Sequence, residues 1–180
     1  VTRRTIKRLA AACLSAVLAS MAGGIGLAVL GYVDPAPMPR AGSWGTHILA
    51  ADGSLLALSP APGGVWRFET AADDVSPFLR QLLVTVEDRH FETEPGVDPA
   101  AVLRAGLQWV SAGHIVSGGS TLTMQVAKLL DPRPRRLSAK VLETARAIDL
   151  WRRLPRDRIM GLWLSLAPFG GNLVGVEAAS

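Results

Sequence analysis

Twenty-five consecutive residues, Leu9 to Val33, carry no charge, and no other feature of the 180-residue chain limits its fold as strongly. About 20 apolar residues suffice to cross a hydrocarbon core as a helix, the one single-segment structure that satisfies all its backbone hydrogen bonds internally. The run is therefore expected to be a membrane anchor. Arg3, Arg4, Lys7 and Arg8 precede it and predict an N-terminus held in the cytoplasm with the body exported, a single-pass type II arrangement. A cleaved signal sequence is the competing reading, but its apolar core is ordinarily only about 7–15 residues long. Cys13, the single cysteine, lies inside the run, so no internal disulfide forms and the redox compartment is not readable from cysteine.

The rest of the chain divides by composition. Residues 1–8 form a basic tail, 9–33 the anchor, and 34–45 a linker whose Pro35, Pro37 and Pro39 resist helix and sheet alike. Residues 46–70 read as a β-hairpin cap: apolar segments flank Asp52-Gly53, a turn pair, and Val65 to Phe68 is expected to pair with the hairpin. Residues 71–180 carry helical periodicity, with helices expected at 77–86, 99–112, 120–130, 139–153 and 156–166. Ser76-Pro77, Asp98-Pro99 and Ser138 supply their start signals, and Val141, Ala145, Ile148 and Trp151 form one apolar stripe. With 49% apolar residues, 19% charged residues and a net charge of +4, disorder is excluded. About 136 residues beyond the linker make one ordinary domain, mainly α with a small β cap.

Three segments carry chemistry. Glu87-Asp88-Arg89-His90-Phe91 puts two carboxylates where a helix leaves an apolar face; partial desolvation there would suit an acid or base, and an exposed ion cluster is the bland alternative. Residues 117–125, SGGSTLTMQ, place two glycines and several hydroxyls at a helix start, where free N–H groups attract anions and phosphate is the expected guest. A capped glycine turn reads equally well. Cations then accumulate, among them Lys128, Arg133, Arg135, Arg136, Lys140, Arg146, Arg152 and Arg153. Such a field suits a pyrophosphate or an anionic membrane, and nucleic acid is disfavoured because no reading motif is present. Glu143 follows Lys140 by three positions, as an ion pair or as a second working carboxylate.

Taken in order, these segments resemble the peptidoglycan glycosyltransferase domain of class A penicillin-binding proteins, glycosyltransferase family 51. EDRHFETEPGVD at 87–98 resembles the first family motif and GGSTLTMQVAKLL at 118–130 the second. AKVLE at 139–143 and residues 156–165 fall where the third and fourth are expected, while LAPFGGN at 166–172 and GVEAA at 175–179 resemble the 1C branch. The resemblance implies a lysozyme-like fold and an inverting transfer at the outer face of the bacterial cytoplasmic membrane. A growing glycan on undecaprenyl pyrophosphate is the donor, lipid II is the acceptor, and a β-1,4 bond forms. It implies Glu87 as general base, with Glu143 as the second carboxylate near the donor pyrophosphate. Lys128, Arg135 and Lys140 would neutralise the leaving diphosphate. Ser120, Thr121 and Gln125 would line the donor cleft, and Asp88, Phe91 and Gly119 complete the substrate-binding set. No cofactor is demanded, though a divalent cation, Mg or Mn, could accompany Glu143. Other cell-wall synthesis proteins are conceivable partners.

Four positions depart from the family pattern. Glu94 stands for a histidine, Ala139 for an arginine, Gly161 for a glutamate and Ser165 for an asparagine. The first adds negative charge near Glu87, and the last two are expected to loosen a buttressing helix. Ser180 falls inside the fifth motif, as in a fragment or a truncated reading frame. The alternative function is thus a membrane-anchored, catalytically degenerate module that binds lipid-linked precursors or assembly partners, with a lytic muramidase third.

Overall fold

The computed structural model describes residues 3–40, 42–101, 104, 119–134 and 136–180. The chain is mostly helical. Helix α1 spans Arg3–Val33, followed by strands β1 (Thr46–Leu49), β2 (Leu55–Ser59) and β3 (Trp66–Arg67), a 3-10 turn at Ala72–Asp74, and α2 (Pro77–Glu87). Beyond come α3 (Leu122–Leu130), α4 (Leu137–Arg153), α5 (Arg156–Leu166), strands β4 (Pro168–Gly170) and β5 (Leu173–Val174), and the short α6 (Val176–Ala179). The helix expected at 99–112 lies largely outside the described residues; positions 99–101 and 104 are helical.

Start signals act as their chemistry dictates. Ser76 accepts from the Leu79 N–H and Pro77 opens α2, while Asp98 Oδ1 accepts from Ala100 and Ala101 at 2.8 and 3.0 Å. Ser138 is not a cap: α4 begins at Leu137 after Arg136, with no side-chain cap. The α4 stripe is also redrawn. Val141 and Trp151 are exposed, whereas Ala145, Arg146, Ala147, Asp149 and Leu150 are buried. A helix packed against both α1 and α3 needs more than one buried face, which a single-stripe reading cannot supply.

β1 and β2 pair antiparallel across a five-residue connection, where Asp52 Oδ1 takes the Ser54 N–H at 2.9 Å. Gly53 takes a positive φ of 84° but Asp52 does not, so the turn is not the two-residue type expected. The third extended segment also differs from expectation: β3 pairs in parallel with β5, which pairs with β4. Strands past position 167 carried no alternating pattern, so their partnership with β3 was invisible along the chain.

Leu83, Phe91, Leu122, Val126, Leu150, Ile159, Leu162 and Leu164 form the core where α2 through α5 meet. Gly161 lets the backbone at Thr70 approach α5, since a Cβ there would lie 3.0 Å from the Thr70 carbonyl oxygen. Ser165 Oγ is buried and is bonded by the Thr70 N–H at 2.9 Å, while itself donating to the Gly161 carbonyl at 2.7 Å. The two departures expected to loosen this helix instead seat a neighbouring segment against it.

The end of α1 packs on α4. A Cβ at Gly31 would collide with the Ala145 carbonyl, so this contact needs glycine. One turn on, Arg146, only 4% exposed, bridges the anchor to the end of α3: its guanidinium reaches Asp34 Oδ1 at 2.7 Å and Asp131 Oδ2 at 2.6 Å. Burial opposes its charge, and the hydrogen bonds of Asp131 and Asp34 outweigh that, raising it above the ordinary arginine value. Gly31→Leu is expected to separate α1 from α4 and cost roughly 1–3 kcal/mol, as overpacking does. Hydrogen exchange across 142–150 should rise at least several-fold in detergent; unchanged protection would mean that the contact does not hold.

Candidate active site

A cleft of about 250 Å3 opens where the end of α2 meets the start of α3, lined by Thr85 to His90, Asp98, Ala101, Arg104 and Gly119 to Thr121. Glu87 is the last residue of α2 and is exposed to this cleft. Its Oε2 accepts from Gln125 Nε2 at 2.9 Å, and Gln125 Oε1 accepts from Trp163 Nε1 at 2.9 Å. An indole nitrogen can only donate, so Trp163 turns the amide oxygen toward itself and the NH2 toward Glu87. The carboxylate is thereby held in one orientation by a chain running back to α5.

Asp88, one residue on, plays a different part. It is buried, and its Oδ2 accepts from the Leu122 N–H at 2.8 Å while Oδ1 accepts from the His90 N–H at 3.2 Å. Thr121 Oγ1 accepts from the Met124 N–H at 3.1 Å and donates to the Gly96 carbonyl at 2.7 Å. Two amides at the start of α3 are therefore not free for an anion: Leu122 and Met124 already donate within the fold, as a capped turn requires. The side chains of Asp88 and Thr121 tie two elements together before either could bind substrate.

The cationic wall comes from α4. Lys140 Nζ lies 2.6 Å from Ser120 Oγ and 2.9 Å from Glu143 Oε2, and its side chain stays 44% exposed. Ser120 and Gly119 line the cleft together with Glu87; Lys140 is not itself a lining residue and meets the cleft through its bond to Ser120. Lys128 is exposed on α3 one turn beyond Gln125. Arg135 lies outside the described residues. Phe91 does not line the cleft: it is fully buried in the hydrophobic core, with the Arg156 guanidinium 5.6 Å from its ring. Ala139 is half-buried at the start of α4.

Glu94 is buried beside Asp88 rather than beside Glu87. Burial first, and then the charge of Asp88, pushes its carboxyl up to about 8. Asp98 is held below the ordinary value, chiefly by the Ala101 N–H, with His90 assisting at 3.3 Å. Arg89, His90, Asp98 and Arg104 also line the cleft and were not singled out as site residues. Arg104 could have been found from helical spacing after the Asp98 cap. Trp163 had no such signal, because its role depends on how α5 packs. Among the described residues, no three His, Cys, Asp or Glu side chains gather as a metal centre requires, and Glu143 is already engaged by Lys140.

An exposed carboxylate in a cleft can take a proton from a hydroxyl, and a half-exposed ammonium bonded to another lining residue can receive developing negative charge, which is the outline of a transferase site. The family model described as Transglycosylase matches residues 57–180, and the chain belongs to that family. It is 44% identical to penicillin-binding protein 1C of Escherichia coli (strain K12) over 133 residues, which cover 74% of this chain and 17% of that protein. It is 39% identical to penicillin-binding protein 1A of Aquifex aeolicus over 63% of this chain and 16% of that protein. Similarity at 35% identity extends to a biosynthetic peptidoglycan transglycosylase of Alcanivorax borkumensis, over 60% of this chain and 44% of that protein. The chain thus spans less than a fifth of the two penicillin-binding proteins and under half of the third relative.

Proposed function

We propose that this chain carries the peptidoglycan glycosyltransferase activity that polymerises lipid II into β-1,4-linked glycan strands and releases undecaprenyl pyrophosphate. The observation that supports this most directly is one cleft lined by both Glu87 and Ser120, with Ser120 bonded to Lys140 and Lys140 to Glu143. Glu87 takes the proton of the acceptor 4-hydroxyl as its oxygen attacks the donor anomeric carbon. A sugar alcohol is a poor nucleophile near neutral pH, so a positioned base typically accelerates such a step by about 10²–10⁴. Attack from the face opposite the leaving group inverts the anomeric centre. Lys140 meets the diphosphate as its negative charge grows, and Lys128 and Arg135 add to that field. Glu143 orients the Lys140 ammonium. Gln125 holds the base, and Ser120 presents its hydroxyl to the donor side.

This reading also sets the place of the reaction. The helix from Leu14 to Val33 is long and apolar enough to cross a membrane by length and composition. The basic residues before it would keep the N-terminus in the cytoplasm and put the cleft at the outer face of the bacterial inner membrane, where both lipid-linked substrates reside. A lysozyme-like arrangement of the helices is part of the same proposal. Incubating the full chain in detergent with labelled lipid II tests it. Polymer that a muramidase digests is the expected product. Retention of lipid II without elongation would replace the enzyme by a binding module, and cleavage of preformed glycan would point to a lytic enzyme.

A further inference from the structure

Glu94 has no role in the chemistry above, yet its carboxyl is in an expensive position. The residue is 5% exposed, and among the described residues neither carboxyl oxygen has a hydrogen-bond partner from a conventional donor. The groups around it are Asp88 from the end of α2, Asp98 from the loop before residue 99, Thr121 from the start of α3, and Arg156 from α5. Arg156 directs Nη2 to the main-chain oxygen of Glu94 at 2.5 Å and stands over the rings of Phe91 and Trp151; its Nη1 is buried too and, among the described residues, makes no hydrogen bond, to the Glu94 carboxyl or elsewhere. The Thr121 hydroxyl proton is committed to the Gly96 carbonyl. An ionised Glu94 would be a buried charge without a donor, set against a second carboxylate. The neutral acid has one O–H to give, and Asp88 is the acceptor beside it.

We propose that Glu94 is a proton-holding positioning residue: as the neutral acid it donates to the Asp88 carboxylate and so fixes the joint between α2 and α3 that aims Glu87 into the cleft. Asp88 makes that joint by accepting from Leu122, the first residue of α3, and Glu87 is its neighbour in the chain. Losing the Glu94 proton leaves two adjacent carboxylates with no proton between them. Their repulsion displaces Asp88, and the base moves with it. Burial, the Asp88 charge and, more weakly, Asp98 all favour the protonated form, with Thr121 slightly opposing.

The sign of the resulting pH dependence follows from linkage. The folded carboxyl keeps its proton up to about pH 8, whereas an ordinary glutamate releases it near 4.5. The stabilisation from that proton is complete below 4.5 and is lost as pH rises through about 8. For the full chain in detergent, denaturant unfolding between about pH 5 and pH 8 should show the folding constant falling by up to about tenfold per pH unit relative to Glu94→Gln. The Gln amide donates to Asp88 as the neutral acid does and cannot ionise, so the variant lacks this slope. Parallel profiles for the two chains would overturn the proposal. If the variant does not fold, a carbon NMR titration of the Glu94 carboxyl in the unsubstituted chain decides the matter: a midpoint near 8 supports the proposal, and one near 4.5 overturns it. The second readout rests on the glycosyltransferase reading: polymerisation should lose its alkaline limb near pH 8 in Glu94→Gln. The unfolding slope requires no activity, so a chain that keeps the slope but never polymerises refutes the enzyme and not the shared proton.

Discussion

Glu87→Gln is expected to reduce glycan polymerisation by roughly 10²–10⁴ while leaving lipid II binding and folding nearly unchanged. The substitution keeps the size of the side chain and removes only the ability to accept a proton. Glu87 is exposed at the end of α2, and the helix gains its stability from Leu83 and from the Ser76 cap rather than from this carboxylate. A stability loss well under 1 kcal/mol is expected, as for surface substitutions away from the core. The decisive comparison is polymer formed per unit time against precursor retained, for both chains in the same detergent. Equal rates would remove Glu87 from the role of base. Loss of rate and binding together would mean that it holds substrate instead.

Lys140→Met should be nearly as damaging to rate and just as mild for stability. The Lys140–Glu143 pair is an i,i+3 contact on a half-exposed helix face, and such pairs contribute only about 0.2–0.5 kcal/mol. Opposite a leaving diphosphate the same ammonium acts on charge that develops only as the bond breaks. Removing one group that stabilises such charge typically costs about 10²–10³ in rate. Methionine preserves much of the apolar stem, so packing along α4 is retained. Polymerisation assayed against salt gives a further check, because the remaining cations act at longer range and are screened more strongly. A variant with an undiminished rate would assign the diphosphate to Lys128 or to another cation of the field.

Much of this site could be read from residue order because its parts are short local devices. Ser76-Pro77 and Asp98-Pro99 act within three residues of themselves, and the Lys140–Glu143 pair needs only helical spacing. Glu87, Ser120, Gln125 and Lys140 could be named because the segments that carry them resemble the family's motifs. Other assignments failed where a second segment intervened. Two of the amides at the start of α3 are taken, that of Leu122 by Asp88, thirty-four positions earlier in the chain, and that of Met124 by Thr121. Phe91 lies under Arg156, and β3 is paired with β5 rather than with the hairpin. The stripe along α4 misled because that helix is packed on more than one side.

Sequence alone determined the membrane-length helix, the run of helices after position 76, membership of the transglycosylase family and the two acids worth testing. The first two follow from uncharged length, hydrophobic period and capping, which are properties of neighbouring residues, and the last two from motifs that resemble those of the family. Only the tertiary structure decided that Glu87 shares a cleft with Ser120, the partner of Lys140, that Trp163 orients Gln125 toward the base, that Gly31 and Arg146 fasten the anchor to α4, and that Glu94 is buried against Asp88. Each of these depends on the distance and solvent exclusion between segments far apart in the chain. The strength of an ion pair, the donor available to a buried oxygen and the proton that a carboxyl keeps are set by those two quantities, and neither is written in the order of residues.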